Sequence, residues 1–232
     1  MEYEKSSPTS YCLGMPPLIE GLRHRPEVIE KVYLSSKAKE NASLEELHRL
    51  CRKLAVPVEI DDRRIARLSV KENCFAIGVF KKFEDTLRGN CHILLCEYED
   101  EGFLGTTLRS AVSFDQKEIA LIGCHADVFD PKTVRASMGA IFHCRLSFFA
   151  SLEEYLAKYP RQSIYTYDPE AEEEISGLKN TLHRSFLMRE KGGAAEGFRT
   201  YSIRKKSAQE LSPTMIGAIT FERLYSLRAD KN

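Results

Sequence analysis

A chain of 232 residues, 43% hydrophobic and 29% charged, is long enough to bury a core in one large domain or two compact ones. Its 34 basic and 34 acidic residues cancel, which removes the overall basic excess of many nucleic-acid-binding domains and leaves only local clusters at Arg63–Arg67, Lys81–Lys82 and Arg204–Lys206. The longest apolar runs, "AIGVF" and "HILLC", are too short to span a bilayer, and the start "MEYEKSSPTSY" lacks a signal-peptide pattern, so a cytoplasmic protein is expected.

In chain order, "PPLIEGLRHR" predicts a short amphipathic helix and "EKVYLSS" a strand. "SLEELHRLCRKLA" predicts a helix with Ser43 as N-cap, Glu46 at the capping-box position, and Leu44, Leu47, Leu50, Cys51 and Leu54 on one face. "VPVEID" and "FAIGVFKKF" read as strands, completing a small α/β unit over residues 10–83. The polar stretch 84–90, "EDTLRGN", reads as a linker.

A second α/β unit, 91–232, opens with the buried strand "CHILLCEYE". "DEGFLGTTLRSAVSF" then reads as a glycine-bearing turn entering a short helix, with Arg109 among small and apolar neighbours. "KEIALIGC" is a strand. "DPKTVRASMGAIFH" is a helix capped by Asp130, with Pro131 at its first position and Gly139 inside it, where a neighbour must approach closely. "SLEEYLAKY" is a helix, "SIYTYD", "SFLMRE" and "RTYSIRK" are strands, and "KGGAAEG" is a loop. "SPTMIGAITFERLYSLR" closes the chain as a helix capped by Ser212, with Met215, Ile216, Ile219 and Leu224 on its buried stripe. Alternating strands and helices predict a mostly parallel sheet covered on both faces. Ligands on such sheets bind beyond the carboxyl ends of the strands, which points to Gly102–Gly105, His125–Phe129, Gly192–Gly197 and Lys206–Ser212.

Seven cysteines stand singly, with no C-x-x-C pair, so neither a disulfide framework nor a zinc site is expected. Cys124, His125, His143 and Cys144 lie on separate elements without ligand spacing. "EKGGAAEG" lacks the G-x-x-x-x-G-K-[ST] and G-x-G-x-x-G patterns; it is either a surface loop or a main-chain lip over a cofactor.

Taken in order, "GFLGTTLRSAVSF", "DPKTVRASMGAIFHCRL", the glycine loop and "ELSPTMIGAITFERL" resemble the motifs of SpoU-type RNA ribose 2′-O-methyltransferases, of the SPOUT superfamily. "SYCLGMPPLIEGLRHRPEVIEKVYLS" and "VPVEIDDRRIARLS…FAIGVF" are similar to that family's substrate-binding domain. The resemblance implies a ribosomal-protein-like α/β/α module that docks RNA (ribosomal or transfer), followed by a domain with a deep trefoil knot. It implies S-adenosylmethionine as cofactor and a homodimer with its active site near the subunit interface; from the spacing of cysteines and histidines, no metal is expected. Arg109 matches the family's arginine beside the target ribose, with Glu190 and Ser212 as the other catalytic candidates. Met188, Gly192, Gly193, Ile203 and Leu211 fall where the cofactor is held. Three polar positions depart from the family pattern. Phe103 replaces an asparagine, "REKGG" replaces G-N-E, and Ser212 replaces another asparagine. A catalytically silent relative that binds RNA or a ribosomal partner is the alternative, and a small-molecule binder the third.

Overall fold

The computed structural model describes residues 3–69, 74–178, 182–191, 197–205 and 209–229. The first sheet collects strands β1 (Thr9–Leu13), β2 (Ile29–Leu34), β3 (Val58–Ile60) and β4 (Ala76–Lys81) in the order β1-β4-β2-β3. β4 runs antiparallel to both neighbours, and β3 is a parallel edge strand. Helices α1 (Met15–His24), α2 (Ala42–Leu54) and α3 (Asp62–Leu68) complete this unit. The N-cap of α2 is Asn41, whose side chain accepts from the Leu44 amide at 3.0 Å, and not the expected Ser43. Glu46 therefore does not reach back to a cap; it binds Arg49 at 2.7 Å and Arg23 at 3.3 Å.

The second sheet is parallel at every described pairing, where the alternation predicted a mostly parallel one. It holds β5 (Cys91–Cys96), β6 (Glu118–Ile122), β7 (Arg145–Phe149), β8 (Ser163–Tyr167), β9 (Arg184–Arg189) and β10 (Arg199–Tyr201), ordered β10-β8-β9-β5-β6-β7. Its helices are α4 (Glu101–Ser113), α5 (Pro131–Ala136), α6 (Leu152–Lys158) and α7 (Pro213–Ala229). No helix among the described residues is long and apolar enough to cross a membrane. The expected knot falls on a stretch that includes 192–196 and 206–208, outside the described residues.

Two glycines fix how the motif helices sit. Gly105 lies inside α4, not in a preceding turn. A Cβ there would meet the Thr133 carbonyl at 2.6 Å and the Ala136 Cβ at 2.7 Å, so α4 and α5 pack almost backbone to backbone. Gly139, expected within a helix, instead breaks it. At φ 84° it separates α5 from a 3-10 turn, Ala140–His143. A Cβ on Gly139 would meet the Pro17 carbonyl at 2.8 Å and the Glu20 Cβ at 2.9 Å, both on α1.

This seam is apolar and shared by both units. Phe80 of β4 and Phe142 are fully buried with ring centroids 5.1 Å apart, and Phe83 meets Phe129 at 5.2 Å. Arg25 lies 4.1 Å over the Phe83 ring, donates to the Cys144 carbonyl at 2.9 Å and pairs with Asp85 at 3.1 Å. The expected linker, 84–90, lies along β7. The Asp85 amide donates to the Leu146 carbonyl at 2.6 Å, the Ser147 hydroxyl donates to the Asp85 carbonyl, and Leu87 is buried.

Candidate active site

The carboxyl ends of β9, β5 and β6, adjacent in the sheet, are stitched together where the fold class places ligands. Glu97, just past β5, takes φ 57°, a left-handed conformation that costs a non-glycine residue about 1–2 kcal/mol. The bend carries Tyr98 into the core and turns Glu99 and Asp100 toward β9. The Tyr98 carbonyl accepts the amides of His125 (2.9 Å) and Ala126 (2.8 Å) from the loop after β6. From the other side, one Glu190 carboxylate oxygen accepts the amides of Glu99 (2.7 Å) and Asp100 (3.0 Å). Asp100 then caps α4 by accepting from the Phe103 amide at 2.7 Å.

Two carboxylates thus occupy the amides at the start of α4, where the helix dipole favours negative charge. The amides of Glu99, Asp100 and Phe103 are engaged in this way, and the two carboxylates set negative charge where a phosphate would approach. Tyr98 is 1% exposed, and burial pushes its phenol well above the usual range, so it remains neutral. Its ring lies 5.8 Å from that of Phe103, which packs against the core. Phe103 therefore offers packing at the place where a polar group was expected.

Arg109 is on the exposed face of α4, opposite Leu104, Leu108 and Ala111. Among the described residues, no hydrogen bond or ion pair ties its guanidinium; its main-chain carbonyl accepts from the Ser113 hydroxyl at 2.9 Å. From Asp100 to Arg109 the helix advances about 14 Å. Glu190 and Arg109 thus sit at opposite ends of one helix and do not touch. Ser212 is exposed and caps α7, accepting from the Met215 amide at 3.4 Å. Met215 is 52% exposed and does not belong to the buried stripe, which is made by Ile216, Phe221, Leu224 and Leu227. α7 packs on α4.

Of the cofactor candidates, Met188 at the end of β9 and Ile203 beyond β10 are buried, and Leu211 is half-buried against the same core cluster. Gly192 and Gly193 lie outside the described residues. A cavity of about 490 Å³ adjoins the site at the ends of β6 and β7, lined by Lys5, Gly123, Cys124, Asp127 and Phe148. Asp127 is held there by the Tyr3 hydroxyl and by Lys82 at 3.5 Å. Burial raises the Cys124 thiol above its usual value, and the thiol donates to the Leu95 carbonyl at 3.2 Å. Sequence reasoning missed the bend at Glu97 and the clasp by Glu190. No composition rule marks a left-handed glutamate, and the clasp joins residues 90 positions apart.

Residues 90–192 match the SpoU rRNA Methylase family. That span runs from β5 through the two motif helices to the loop after β9, and so includes Arg109 and Glu190. The fold is similar to that of the SpoU methyltransferase AviRb from Streptomyces viridochromogenes, with TM-score 0.79 and 17% identity, covering 97% of this chain and 91% of that one. AviRb has also been solved in complex with AdoMet. An AdoMet-bound rRNA methyltransferase from Sinorhizobium meliloti matches with TM-score 0.73 and 17% identity, covering 93% and 86%. A putative TrmH-family RNA methyltransferase from Porphyromonas gingivalis matches with TM-score 0.71 and 20% identity, covering 93% and 89%. No curated protein sequence matches the chain.

Proposed function

We propose that this SpoU-domain protein is an S-adenosylmethionine-dependent RNA methyltransferase acting on a ribose 2′-hydroxyl of ribosomal or transfer RNA. The observation that carries the proposal is Arg109, an exposed guanidinium without a protein partner among the described residues, on a helix whose opposite end is fixed by Glu190. The 10–83 unit is the RNA-docking module in this reading, and two copies of the chain pair through the surface that includes α7, where Met215 and Tyr225 are half exposed.

The residues present suit the cofactor. Met188, Ile203 and Leu211 offer an apolar wall for a planar base, and a sulfonium methyl is the electrophile that the cofactor supplies when bound. A ribose hydroxyl is a weak nucleophile; as its oxygen bonds to the methyl carbon, the carbon–sulfur bond would break, the thioether would leave with the electron pair, and the hydroxyl proton would pass to solvent. Arginine stays charged and cannot serve as a simple base. Arg109 instead supplies a fork of donors that holds an RNA phosphate and stabilises the developing alkoxide. Glu190 positions: its carboxylate fixes the start of α4 and hence the direction in which Arg109 is presented. Ser212 holds the first turn of α7 against α4.

Transfer of labelled methyl groups to total RNA, together with calorimetric titration of the cofactor, tests this. Arg109→Ala is expected to lower transfer roughly 100-fold or more while cofactor affinity is unchanged. Equal transfer by variant and wild type refutes the role of Arg109. Cofactor binding without transfer by the wild type favours the catalytically silent reading, for which the apolar packing of Phe103 against Tyr98 is the supporting observation.

A further inference from the structure

The seam between the two units brings together three side chains that the sequence keeps far apart. Glu20 and His24 stand four residues apart on α1, hence on one face, one turn from each other. The close seat of Gly139 on Pro17 and Glu20 then delivers the turn Ala140–His143 onto that face. The His24 and His143 rings lie 3.7 Å apart, inclined at 33°. Both Nε2 atoms face the same oxygen: Glu20 Oε2 is 2.7 Å from His143 and 3.5 Å from His24. The three ligand atoms all lie within 4.8 Å of one another.

The other Glu20 oxygen is already held, by Arg23 at 3.4 Å, and Arg23 is itself anchored by Glu46 at 3.3 Å. A carboxylate pinned through one oxygen and presenting the other beside imidazole nitrogens is the arrangement by which outer-shell groups orient metal ligands. Hydrogen bonding alone explains the triad poorly. Only His143 is hydrogen-bonded to the Glu20 oxygen; the His24 ring, tilted against the first, converges on the same oxygen at 3.5 Å without such a bond. A dication at the focus takes a lone pair from each group and removes the crowding.

We propose that Glu20, His24 and His143 form a zinc-class transition-metal site that clamps the N-terminal unit to the SpoU domain. Two imidazoles and one carboxylate suit a borderline ion such as Zn²⁺, whereas Ca²⁺ and Mg²⁺ demand oxygen ligands. With metal–ligand bonds of about 2.0–2.2 Å, ligand atoms of a tetrahedral zinc site are about 3.4 Å apart. The two separations at Glu20 bracket that value, so sub-ångström adjustments of side chains complete the site. The His24 side chain is 43% exposed, which gives the ion an entry path and a water the fourth position. Cys144, next in sequence to His143, does not compete: it is fully buried and its thiol donates to the Ala140 carbonyl. The ion's role is to hold the seam, and it is remote from the chemistry at the carboxyl ends of β5, β6 and β9.

The full chain, stripped with a chelator, would be titrated with Zn²⁺ by calorimetry and with Co²⁺ by visible absorption, alongside His24→Gln, His143→Gln, Glu20→Gln and the control His48→Gln. The expected result is one ion per chain, a tetrahedral Co²⁺ spectrum without a thiolate charge-transfer band, and an affinity at least ten-fold lower in each of the three ligand variants but not in the control. Zinc at a hundred times its dissociation constant is expected to raise the melting temperature by roughly 5–10 °C. Absence of binding, a thiolate band, or unchanged affinity in His24→Gln overturns the proposal. His24 is the most exposed of the three ligands, so its variant keeps the test decisive if His143→Gln does not fold. None of these readouts depends on methyl transfer.

Discussion

Gly139→Ala strikes the seam at its narrowest point, and its cost can be worked from two separate sources. The first is conformational: φ 84° lies in the left-handed region, which costs a residue with a Cβ about 1–2 kcal/mol. The second is steric. The new methyl would meet the Pro17 carbonyl at 2.8 Å, the Pro17 Cα at 2.9 Å and the Glu20 Cβ at 2.9 Å. Two of these atoms are backbone and cannot swing aside, so about 1–3 kcal/mol of overpacking is added. The sum, about 2–5 kcal/mol, corresponds to a melting temperature lower on the order of 10 °C for a chain of this size. Gly89→Ala is the internal control. Gly89 also has a positive φ, 80°, but nothing lies within 4 Å of its would-be Cβ, so it reports the conformational cost alone. Urea unfolding of both variants measures the difference. A cost for Gly139→Ala no greater than that for Gly89→Ala would show that the seam is not as tightly seated as the distances require.

Two further outcomes follow from the fold. Asn41→Ala is expected to lose about 1 kcal/mol of stability in urea unfolding, whereas Ser43→Ala stays within about 0.5 kcal/mol; the reverse order would restore Ser43 as the cap of α2. His92 is 1% exposed, shares a 2.8 Å hydrogen bond with Tyr155, and burial lowers its pKa from 6.5 to about 4. The unfolded chain therefore takes up a proton below about pH 6.5 that the folded chain refuses until about pH 4. Its contribution is fully present above pH 6.5 and is lost as pH falls toward 4, by up to about 3 kcal/mol. His92→Asn should flatten that part of the stability profile, and an unchanged slope would assign the acid sensitivity to other groups.

The central strands of the parallel sheet were legible because "HILLC", "EIALI" and "SFLM" are continuous apolar runs, the signature of strands buried on both faces. Three elements were not. β1 is five residues between "SSP" and "GMPP", a context that reads as turn. α3 buries only Ile65 among charged neighbours and so shows no apolar period. β7 follows the Ala140–His143 turn with only Cys144 between, leaving no break to mark its start. The site divides in the same way. Arg109 could be singled out by its place in a motif, but the clasp of Glu190 on Glu99 and Asp100 and the meeting of His24 with His143 depend on which loops and helices the tertiary fold brings together. Local patterns carry no information about such meetings. Gly139 shows the boundary well: the sequence required a close neighbour there, while which neighbour, and the helix break, came only from packing.

The strip from Asp85 to Leu87 has a consequence beyond joining the two halves. β7 is the last strand of its sheet, and its outer edge would otherwise present unpaired amides and carbonyls to any other extended chain. The Asp85 amide and the Ser147 hydroxyl close part of that edge, and the buried Leu87 holds the strip down. What looks like a spacer is a guard rail against strand-to-strand association. A fragment trimmed to begin at Cys91 would lose it and leave the β7 edge open.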